Sequence, residues 1–340
     1  MNDTASPRFL IIRLGSLGDV IHAIPAAAAL RQQHPGARID WLVDPRYVSL
    51  LDLVKGLDHR IPFDPRELTR GGRAWSALGA LRRTRYDAVL DLQGLLKSAV
   101  IARIAGAKQT IGFSRAHLRE PMAATFYTRV VDPGVTPHVI DRGLALLRGL
   151  GMNDRAVRFP IAQAASRVGA AVAERFGPAG YAVINPGAAW PNKRWPPARF
   201  GAVAAAIGRE RGLRSIVLWG PGEDPLAEAV VGASDGQAEL APETTIPDIF
   251  AIASGAKLML SGDTGPLHIG GAAGTPIVAL FGPTYPERNG PWSAQDVVLS
   301  RVTACACLYE RRCRRDSPCI DDISVDEVLR AVRQRLDGHG

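Results

Sequence analysis

Residues 261–268 combine the end of an apolar run with small, polar and basic side chains, in the order Ser-Gly-Asp-Thr-Gly-Pro-Leu-His. A strand that ends in glycine and opens a helix presents unpaired backbone N–H groups and the positive end of the helix dipole, and both favour a diphosphate. The hydroxyl of Thr264 can add a hydrogen bond. The alternative is an ordinary capped helix. We predict that Asp263, Thr264, Gly265 and His268 line a phosphate-binding edge.

Basic side chains follow another strand end of the same half. A strand ends near Gly187, and Lys193 and Arg194 come soon after it, where they could neutralise a departing phosphate. Glu223 follows a Trp-Gly-Pro-Gly string and is suited to accepting hydrogen bonds from ribose hydroxyls. No Asp-x-Asp pair occurs in the chain. We therefore predict no metal site, so that cations and helix N-termini must balance the phosphate charge.

The first half offers a carboxylate at the opening of a helix. Gly15-Ser16-Leu17-Gly18-Asp19 lacks the G-x-G-x-x-G spacing of dinucleotide-binding loops, which disfavours a nicotinamide cofactor. Its glycines let a substrate approach the backbone, so we assign Ser16 and Gly18 to substrate binding. Asp19 is a candidate acid or base. The alternative is a helix-cap carboxylate, because negative charge is favourable at a helix N-terminus.

Strands that alternate with helices must position these residues. Apolar strands are predicted at 8–14, 39–43, 87–92, 181–184, 215–219, 258–261 and 276–281. Helices are predicted at 20–33, with Pro25 near its start, and at 95–105. This alternation is typical of doubly wound parallel sheets, in which ligands bind at the carboxyl ends of the strands. With 340 residues, we predict an α/β protein of two Rossmann-like halves, which meet near 160–178 and face a central cleft.

The net charge of +8 is unevenly distributed. Residues 1–200 hold 28 Lys and Arg against 15 Asp and Glu, and residues 201–340 hold 13 against 18. An anionic partner would explain the excess, and the alternative is arginines scattered over solvated faces. Nucleic acid is disfavoured because aromatic residues are only 6% of the chain. The crowded stretch is formed by Arg66, Arg70, Arg73, Arg82, Arg83 and Arg85.

Neither a membrane span nor a signal peptide is recognisable, which predicts a cytoplasmic protein. Cys305, Cys307, Cys313 and Cys319 have a spacing unlike that of paired C-x₂-C zinc sites. We predict inert thiols, with a metal site as the less favoured alternative. Residues 325–336 have helical periodicity and are predicted to pack back across the first domain.

Several strings, in order and spread over nearly the whole chain, resemble the ADP-heptose:lipopolysaccharide heptosyltransferases, glycosyltransferase family 9. They are Arg13–His22 (RLGSLGDVIH), Tyr86–Ser98 (YDAVLDLQGLLKS), Arg119-Glu120-Pro121, Asn192–Trp195 (NKRW) and Gly262–His268 (GDTGPLH). Three strings are more similar to the enzymes that add the first heptose, to Kdo-lipid A: Ile39–Val43 (IDWLV), the LQGLLKS part of the second string, and the third string. Ala188 and Ala189 depart from that pattern, because hydroxyl residues often precede the lysine there.

The resemblance implies a GT-B fold and an inverting, metal-independent transfer from ADP-heptose. In it, Asp19 matches the general base, Lys193 a phosphate-contacting lysine, and Arg119 and His138 match acceptor-side positions. We assign Arg66 and Arg70 to the same phosphorylated acceptor, and Gly187, Arg194 and Glu223 to the donor.

We place an acceptor domain at 1–165, a donor domain at 170–322 and a terminal helix at 323–340. No cofactor is expected, and the expected enzyme is a monomer, peripheral at the cytoplasmic face of the inner membrane. The alternatives are a family transferase with another donor or acceptor, for example a second-heptose enzyme, a nucleotide-binding oxidoreductase, and a charge-driven nucleic-acid or membrane-surface binder.

Overall fold

The computed structural model describes residues 6–69 and 73–338. The chain divides into two compact units, Met1–Ala162 and Gln163–Gly340. Each unit contains a six-stranded sheet in which every strand pairing is parallel, with helices between the strands. The predicted α/β class with two Rossmann-like halves is therefore confirmed. The first unit holds 23 Lys and Arg against 14 Asp and Glu, whereas the second holds 18 against 19, so the excess of positive charge belongs to the first unit.

The first unit is a doubly wound sheet whose strand order is β3-β2-β1-β4-β5-β6. Its strands are β1 (Arg8–Ile12), β2 (Arg38–Val43), β3 (His59–Pro62), β4 (Ala88–Asp91), β5 (Gln109–Phe113) and β6 (Arg129–Val131). Its α-helices are α1 (Leu17–Gln33), α2 (Val48–Asp52), α3 (Arg73–Thr84), α4 (Leu96–Ile104) and α5 (Val139–Leu146). The order reverses between β1 and β4, which creates a crevice at their carboxyl ends where such sheets bind ligands.

The apolar run of β1 explains its central position. Residues 9–12 are all at most 4% exposed, as expected for a parallel strand that is covered on both faces. Helix α1 begins at Leu17, three residues earlier than predicted, because Ser16 occupies its N-cap position. Pro25 consequently lies inside the helix and not near its start.

The second unit repeats the same topology with the order β12-β11-β10-β7-β8-β9. Its strands are β7 (Ala182–Asn185), β8 (Ser215–Val217), β9 (Ala238–Leu240), β10 (Leu258–Gly262), β11 (Ile277–Phe281) and β12 (Val297–Ser300). Its α-helices are α6 (Arg167–Phe176), α7 (Pro197–Arg211), α8 (Asp224–Gly232), α9 (Ile246–Gly255), α10 (Gly265–Ala273), α11 (Pro286–Asn289) and α12 (Val325–Asp337). The reversal here lies between β7 and β10.

Helix α12 packs against the second unit. Val328, Ala331 and Val332 are buried in the core that β7, β10 and β11 share with α7. Arg335 pairs with Asp296 at 2.9 Å, and both side chains are at most 4% exposed. The prediction assigned the apolar face of this helix to the first domain. That face is instead covered by α7, β11 and β12, because apolar periodicity shows that a helix is half-buried and not what covers it.

All four cysteines are free thiols. The sulfurs of Cys305 and Cys307 lie 3.6 Å apart, and Cys307 and Cys319 are buried. Burial, together with a hydrogen bond to Cys305, raises the pKa of Cys319 to about 12, so this thiol stays protonated at neutral pH. Within the described residues, no three His, Cys, Asp or Glu side chains are arranged to hold a metal ion. None of the described helices combines the length and apolar character needed to cross a bilayer.

Candidate functional site

The loops after β1 and β4 meet at the reversal point of the first sheet. The Oε1 atom of Gln93 accepts hydrogen bonds from the backbone N–H groups of Leu14, at 3.0 Å, and Gly15, at 3.4 Å. These contacts fix the start of the loop that carries Asp19. The sequence prediction missed Gln93, although the residue lies in the LQG string after β4, a strand end that was itself recognised.

Gln93 is in turn held by a buried carboxylate at the end of β4. Asp91 accepts hydrogen bonds from the N–H groups of Gln93 and Gly94, both at 3.0 Å, and from the hydroxyls of Ser98 and Tyr127, both at 2.8 Å. Burial raises the pKa of Asp91 despite these donors. Its partners are all neutral, and its four hydrogen bonds assign it to holding the loop rather than to contacting a ligand.

Asp19 lies in the first turn of α1 and is partly accessible. Its Oδ2 atom accepts hydrogen bonds from the backbone N–H and the hydroxyl of Ser16, both at 3.0 Å. Its Oδ1 atom lies 2.5 Å from Nη2 of Arg13, and 27% of the Asp19 side chain is exposed. The carboxylate therefore caps the helix, as the alternative interpretation expected, and it is also oriented by a guanidinium while part of it faces solvent.

A glycine is required where this loop passes an aromatic ring. A Cβ atom on Gly15 would lie 2.9 Å from Cε2 of Tyr47, which is too close for an ordinary contact. Burial raises the pKa of Tyr47, so its phenol is neutral at physiological pH. In the same loop, Ser16 is exposed and Gly18 is buried. Side chains as small as these leave the backbone near Asp19 open to a substrate.

The structure brings His138 to the helix that carries Asp19. The rings of His22 and His138 lie 5.6 Å apart with their planes at 69°. His22 is in α1, one turn after Asp19, and residues three apart share a helix face. His138 is the N-cap of α5, where its Nδ1 atom accepts a hydrogen bond from the N–H of Ile140 at 3.2 Å. His22 therefore shares a helix face with the predicted base and contacts a predicted acceptor residue, and the prediction did not single it out.

Among the residues that the structure describes, the arginines of the predicted stretch are distributed over separate segments. Arg66 pairs with Asp64 at 2.8 Å. Arg82 and Arg83 lie in the last turn of α3, and a helix of 12 residues is about 18 Å long, so they are far from its first turn. Arg70 lies outside the described residues. Arg119 is exposed on the segment before a 3₁₀ turn at Pro121–Phe126, and its role in acceptor binding stays a prediction.

The reversal point of the second sheet is organised by Asp263. Its Oδ2 atom accepts hydrogen bonds from Nζ of Lys193 and, at 2.7 Å, from the hydroxyl of Thr284. Its Oδ1 atom accepts a hydrogen bond from Nδ2 of Asn289 at 2.8 Å and lies 3.6 Å from Nε2 of His268. Burial alone would raise the pKa of Asp263, but the hydrogen bond to His268 and the charge of Lys193 hold it well below its ordinary value.

This network joins the three chain segments that follow β7, β10 and β11 at one sheet edge. Lys193 lies in the loop after β7, and its ammonium is 4.6 Å from the centre of the Trp190 ring. Thr284 and Asn289 come from the segment after β11. The sequence prediction named Asp263, Lys193 and His268 but missed Thr284 and Asn289, even though Gly282-Pro283-Thr284 marks a strand end. Because a diphosphate is repelled by a carboxylate, Lys193 provides the attractive charge.

Glu223 lies against the backbone of the loop after β7. A Cβ atom on Gly187 would be 2.1 Å from Oε2 of Glu223, so a larger residue there would displace this carboxylate. The same oxygen accepts the N–H of Gly220 at 3.2 Å, and Oε1 is 4.0 Å from Nη2 of Arg194. The Nε atom of Arg194 donates to the carbonyl of Ala188 at 2.8 Å. The structure thus brings Gly187, Arg194 and Glu223 together, as predicted for one donor site.

The N-terminus of α10 begins at the same edge. Thr264 occupies the N-cap position in an extended conformation, and its side chain makes no capping hydrogen bond. The capped-helix alternative therefore does not describe what this hydroxyl does. Gly265 is the first helical residue, and because Pro266 has no N–H, the first donors of α10 are the N–H groups of Gly265 and Leu267.

Known proteins share the sequence and the fold of this chain. The model of glycosyltransferase family 9 (heptosyltransferase) matches residues 75–317. Lipopolysaccharide heptosyltransferase 1 of Salmonella typhimurium is 31% identical, over 83% of this chain and 90% of that protein. The protein of the same name from Pseudomonas aeruginosa is 28% identical, over 90% of this chain and 87% of its own.

A solved structure of Escherichia coli heptosyltransferase WaaC with ADP superimposes with a TM-score of 0.76 at 23% identity, covering 97% of this chain and 99% of that one. The predicted GT-B architecture of two parallel-sheet units is thereby confirmed. The oxidoreductase alternative is set aside, because the matched family transfers glycosyl groups. The chain belongs to glycosyltransferase family 9, the heptosyltransferases.

Proposed function

We propose that this enzyme transfers a heptose from ADP-heptose to the Kdo-lipid A inner core during lipopolysaccharide synthesis. The observation that carries the proposal is the complementary chemistry at the two reversal points: an accessible carboxylate, Asp19, in the first unit and an ammonium-centred network in the second. The names of the Salmonella and Pseudomonas relatives support a lipopolysaccharide substrate. The ADP in the WaaC structure supports an adenine nucleotide donor.

The proposed reaction is an inverting single displacement. Asp19 accepts the proton of an acceptor hydroxyl while the oxygen attacks the anomeric carbon. The bond between that carbon and the diphosphate breaks, and its electron pair leaves with ADP. Proton transfer of this kind contributes about 10²–10⁴-fold to the rate. Arg13 and Ser16 hold the carboxylate in one orientation, which such a transfer requires.

In this proposal the donor diphosphate is bound by Lys193, Arg194 and the N-terminus of α10, with Thr264 and Gly265 contributing polar contacts. Lys193 balances the charge that develops on the leaving group, so no metal ion is required. Asp263 acts through its neighbours: it positions Lys193 and His268 and does not contact the diphosphate. Gly187 admits Glu223, whose carboxylate accepts hydrogen bonds from the ribose hydroxyls.

Acceptor binding is assigned to the first unit. We place Ser16, Gly18 and His138 near the attacking hydroxyl, and we assign Arg66 and Arg119 to the phosphorylated parts of the acceptor. The excess positive charge of this unit supports an anionic acceptor. We further propose that the enzyme works as a monomer, peripheral at the cytoplasmic face of the inner membrane.

The test is a substrate panel with product detection by mass. The purified enzyme is incubated with ADP-heptose and with other nucleotide sugars, each with Kdo-lipid A and, separately, with an acceptor that already carries one heptose. The expected result is a mass increase of one heptose from ADP-heptose on Kdo-lipid A. Transfer from another nucleotide sugar, or only to the heptosylated acceptor, would contradict the proposed donor or acceptor respectively.

A further inference from the structure

Two exposed apolar side chains lie on adjoining segments of the first unit. Leu96, the first residue of α4, is 36% exposed and Met122 is 63% exposed. The backbone N–H of Leu96 donates to Oε2 of Glu120 at 2.7 Å, and α4 packs on the 3₁₀ turn that contains Met122. The two apolar tips therefore belong to one surface, which we call the α4 surface: Leu96, Lys97, Arg115, Arg119 and Met122.

The α4 surface is strongly basic. Lys97, Arg115 and Arg119 are exposed, and none of the three forms an ion pair with any residue that the structure describes. The acid nearest to them in sequence, Glu120, is occupied with the N–H of Leu96 at the start of α4. Three exposed cations and two exposed apolar side chains thus lie on adjoining segments, and the carboxylate of Glu120 on the same segments is engaged.

Helix α3 lies beside α4, next to the α4 surface. Its Leu78 and Leu81 share a core cluster with Ile101 and Ala102 of α4, so the two helices lie side by side. Both follow the carboxyl ends of parallel strands and begin at one edge of the sheet. Trp75, in the first turn of α3, is 59% exposed, and tryptophan is favoured where an apolar ring meets a polar boundary.

We propose that the α4 surface docks on an anionic lipid bilayer. Leu96 and Met122 enter the boundary between headgroups and acyl chains, and Lys97 and Arg115 contact lipid phosphates beside Arg119, which the proposed function assigns to the phosphorylated acceptor. This combination of apolar tips and long basic side chains is typical of interfacial binding. A protein partner fits less well, because two exposed side chains provide far less than the roughly 800 Å² per partner of a stable interface. The inference rests on the proposed function in so far as the acceptor is a membrane lipid.

The test is co-sedimentation with vesicles of phosphatidylethanolamine and phosphatidylglycerol at 70:30, with pure phosphatidylcholine vesicles as the neutral comparison. We expect Leu96→Asp to lower the partition coefficient at least fivefold. The control is Leu240→Asp, which changes a leucine of similar exposure, 39%, on β9 of the second unit. Met122→Ser is an independent second variant. Equal binding by Leu96→Asp, Met122→Ser and the wild type would overturn the proposal.

Two charge reversals at opposite ends of α4 test the electrostatic contribution to membrane binding. Lys97→Glu reverses a cation at the start of α4, and Arg103→Glu reverses an exposed cation at its other end. Each cation in contact with an anionic surface contributes about fivefold to binding, and a reversal costs more. We expect Lys97→Glu to reduce binding to the anionic vesicles at least fivefold and Arg103→Glu to change it less than twofold. An equal loss in both would indicate net charge alone and contradict a defined surface.

Kinetics separate this inference from the proposed function. With a water-soluble, deacylated acceptor, Leu96→Asp is expected to keep the wild-type kcat/KM. With the acceptor embedded in vesicles, its KM is expected to rise at least fivefold. Unchanged KM on vesicles refutes the docking surface and leaves the transfer reaction standing. Absence of transfer by the wild type to either acceptor refutes the proposed function, whereas vesicle binding that depends on Leu96 still supports docking.

Discussion

The two units have the same topology, but they use a buried aspartate at the fourth strand in opposite ways. Asp91 ends β4 and accepts hydrogen bonds from neutral groups only, and burial raises its pKa. Asp263 follows β10, is similarly buried and holds Lys193 and His268, and its pKa is lowered despite burial. The difference teaches that burial alone does not define a binding edge. A buried carboxylate with neutral partners, such as Asp91, only stabilises its loop. A buried carboxylate with a cationic partner, such as Asp263, also positions that cation.

Asp19 differs from both of these residues. It is at the same reversal point as Asp91 but on the other strand, and 27% of its side chain is accessible, against 3% for Asp263. An accessible carboxylate can exchange a proton with a substrate, whereas a buried one that accepts several hydrogen bonds cannot readily do so. The comparison therefore favours Asp19, and not Asp91 or Asp263, for the proton acceptor that we propose.

The largest effect is expected at Asp19. Asp19→Asn keeps the shape of the side chain but removes the proton acceptor, so kcat should fall by about 10²–10⁴-fold while the Kd for ADP changes less than twofold. Steady-state kinetics and calorimetric titration with ADP measure the two quantities. The matched control is Asp248→Asn, because Asp248 caps α9 through Thr245 in the same local arrangement. Similar losses in both variants would mean that Asp19 acts only as a helix cap.

The next largest effect is expected at Lys193, whose ammonium pairs with Asp263. Lys193→Met leaves a buried carboxylate without its cation, which typically costs about 3–5 kcal/mol in the free energy of unfolding, and it should also abolish detectable ADP binding. Adding Asp263→Asn removes the unpaired charge and should restore much of the stability but none of the affinity. Denaturant unfolding and ADP titration follow the two properties. Recovery of ADP binding in the double variant would contradict a direct role of Lys193.

A smaller effect is expected from Thr284, which helps to orient Asp263. Thr284→Val removes the hydrogen bond to Asp263 and should raise the KM for the nucleotide sugar about 5- to 10-fold, or about 1–1.4 kcal/mol, which is within the usual net contribution of one hydrogen bond. Thr284→Ser retains the hydroxyl and should restore the wild-type KM. Thr275→Val serves as the control, because Thr275 is equally buried and its hydroxyl bonds only to the carbonyl of Ala253. A serine variant as impaired as the valine variant would argue against the hydrogen bond.

The smallest effect is expected at Glu327, a carboxylate that stabilises α12 and has no proposed role in the reaction. Glu327 accepts the N–H of Ser324 at 2.8 Å and pairs with Arg301, and the hydrogen bonds to Ser324 and Arg301 lower its pKa to about 2. Because this pKa is below the unfolded value of 4.5, the stabilisation is complete above about pH 4.5 and is lost as the pH falls towards 2. Glu327→Gln should cost about 0.5–1 kcal/mol at pH 7.

Thermal unfolding of the wild type and Glu327→Gln between pH 2 and 7 checks this dependence. The difference in Tm should be constant above pH 5 and should shrink steadily below pH 4.5. Transfer activity should not change, because Glu327 caps a helix that packs on α7. A Tm difference that stays the same down to pH 2 would contradict the assigned ionisation.

Candidate site residues that follow a strand end could be predicted from the sequence. Their partners, which come from distant positions in the chain, could not. Lys193 and Asp263 were recognised because a glycine-containing turn after an apolar run is a local signal. Their partners Thr284 and Asn289 approach from 21 and 26 residues further along the chain than Asp263, so no spacing rule joins them. Gln93 was missed for the same reason, since it contacts the first loop across 79 residues.

Amphipathic patterns likewise revealed helices but not their neighbours. The periodicity of residues 325–336 correctly predicted α12, whereas its assignment to the first domain was wrong because the pattern does not identify the covering surface. The described arginines between 66 and 85 are close in sequence. Arg82 and Arg83, however, lie at the end of α3, which is about 18 Å long. They are therefore distant from the residues that precede the helix. Separation in sequence therefore indicated distance in space only for residues within one or two helical turns of each other.

Three capping arrangements show what the sequence by itself determined and what the tertiary structure decided. In Ser16–Asp19, Thr245–Asp248 and Ser324–Glu327, an acid three residues after a hydroxyl accepts the N–H of the cap residue. That contact depends only on local backbone geometry, so the sequence is sufficient to specify it. Long-range packing then gives Asp248 the hydroxyl of Ser166 and Glu327 the guanidinium of Arg301. Of these three acids only Asp19 lies at a sheet reversal, where Gln93 holds the start of its loop from 79 residues further along the chain than Leu14.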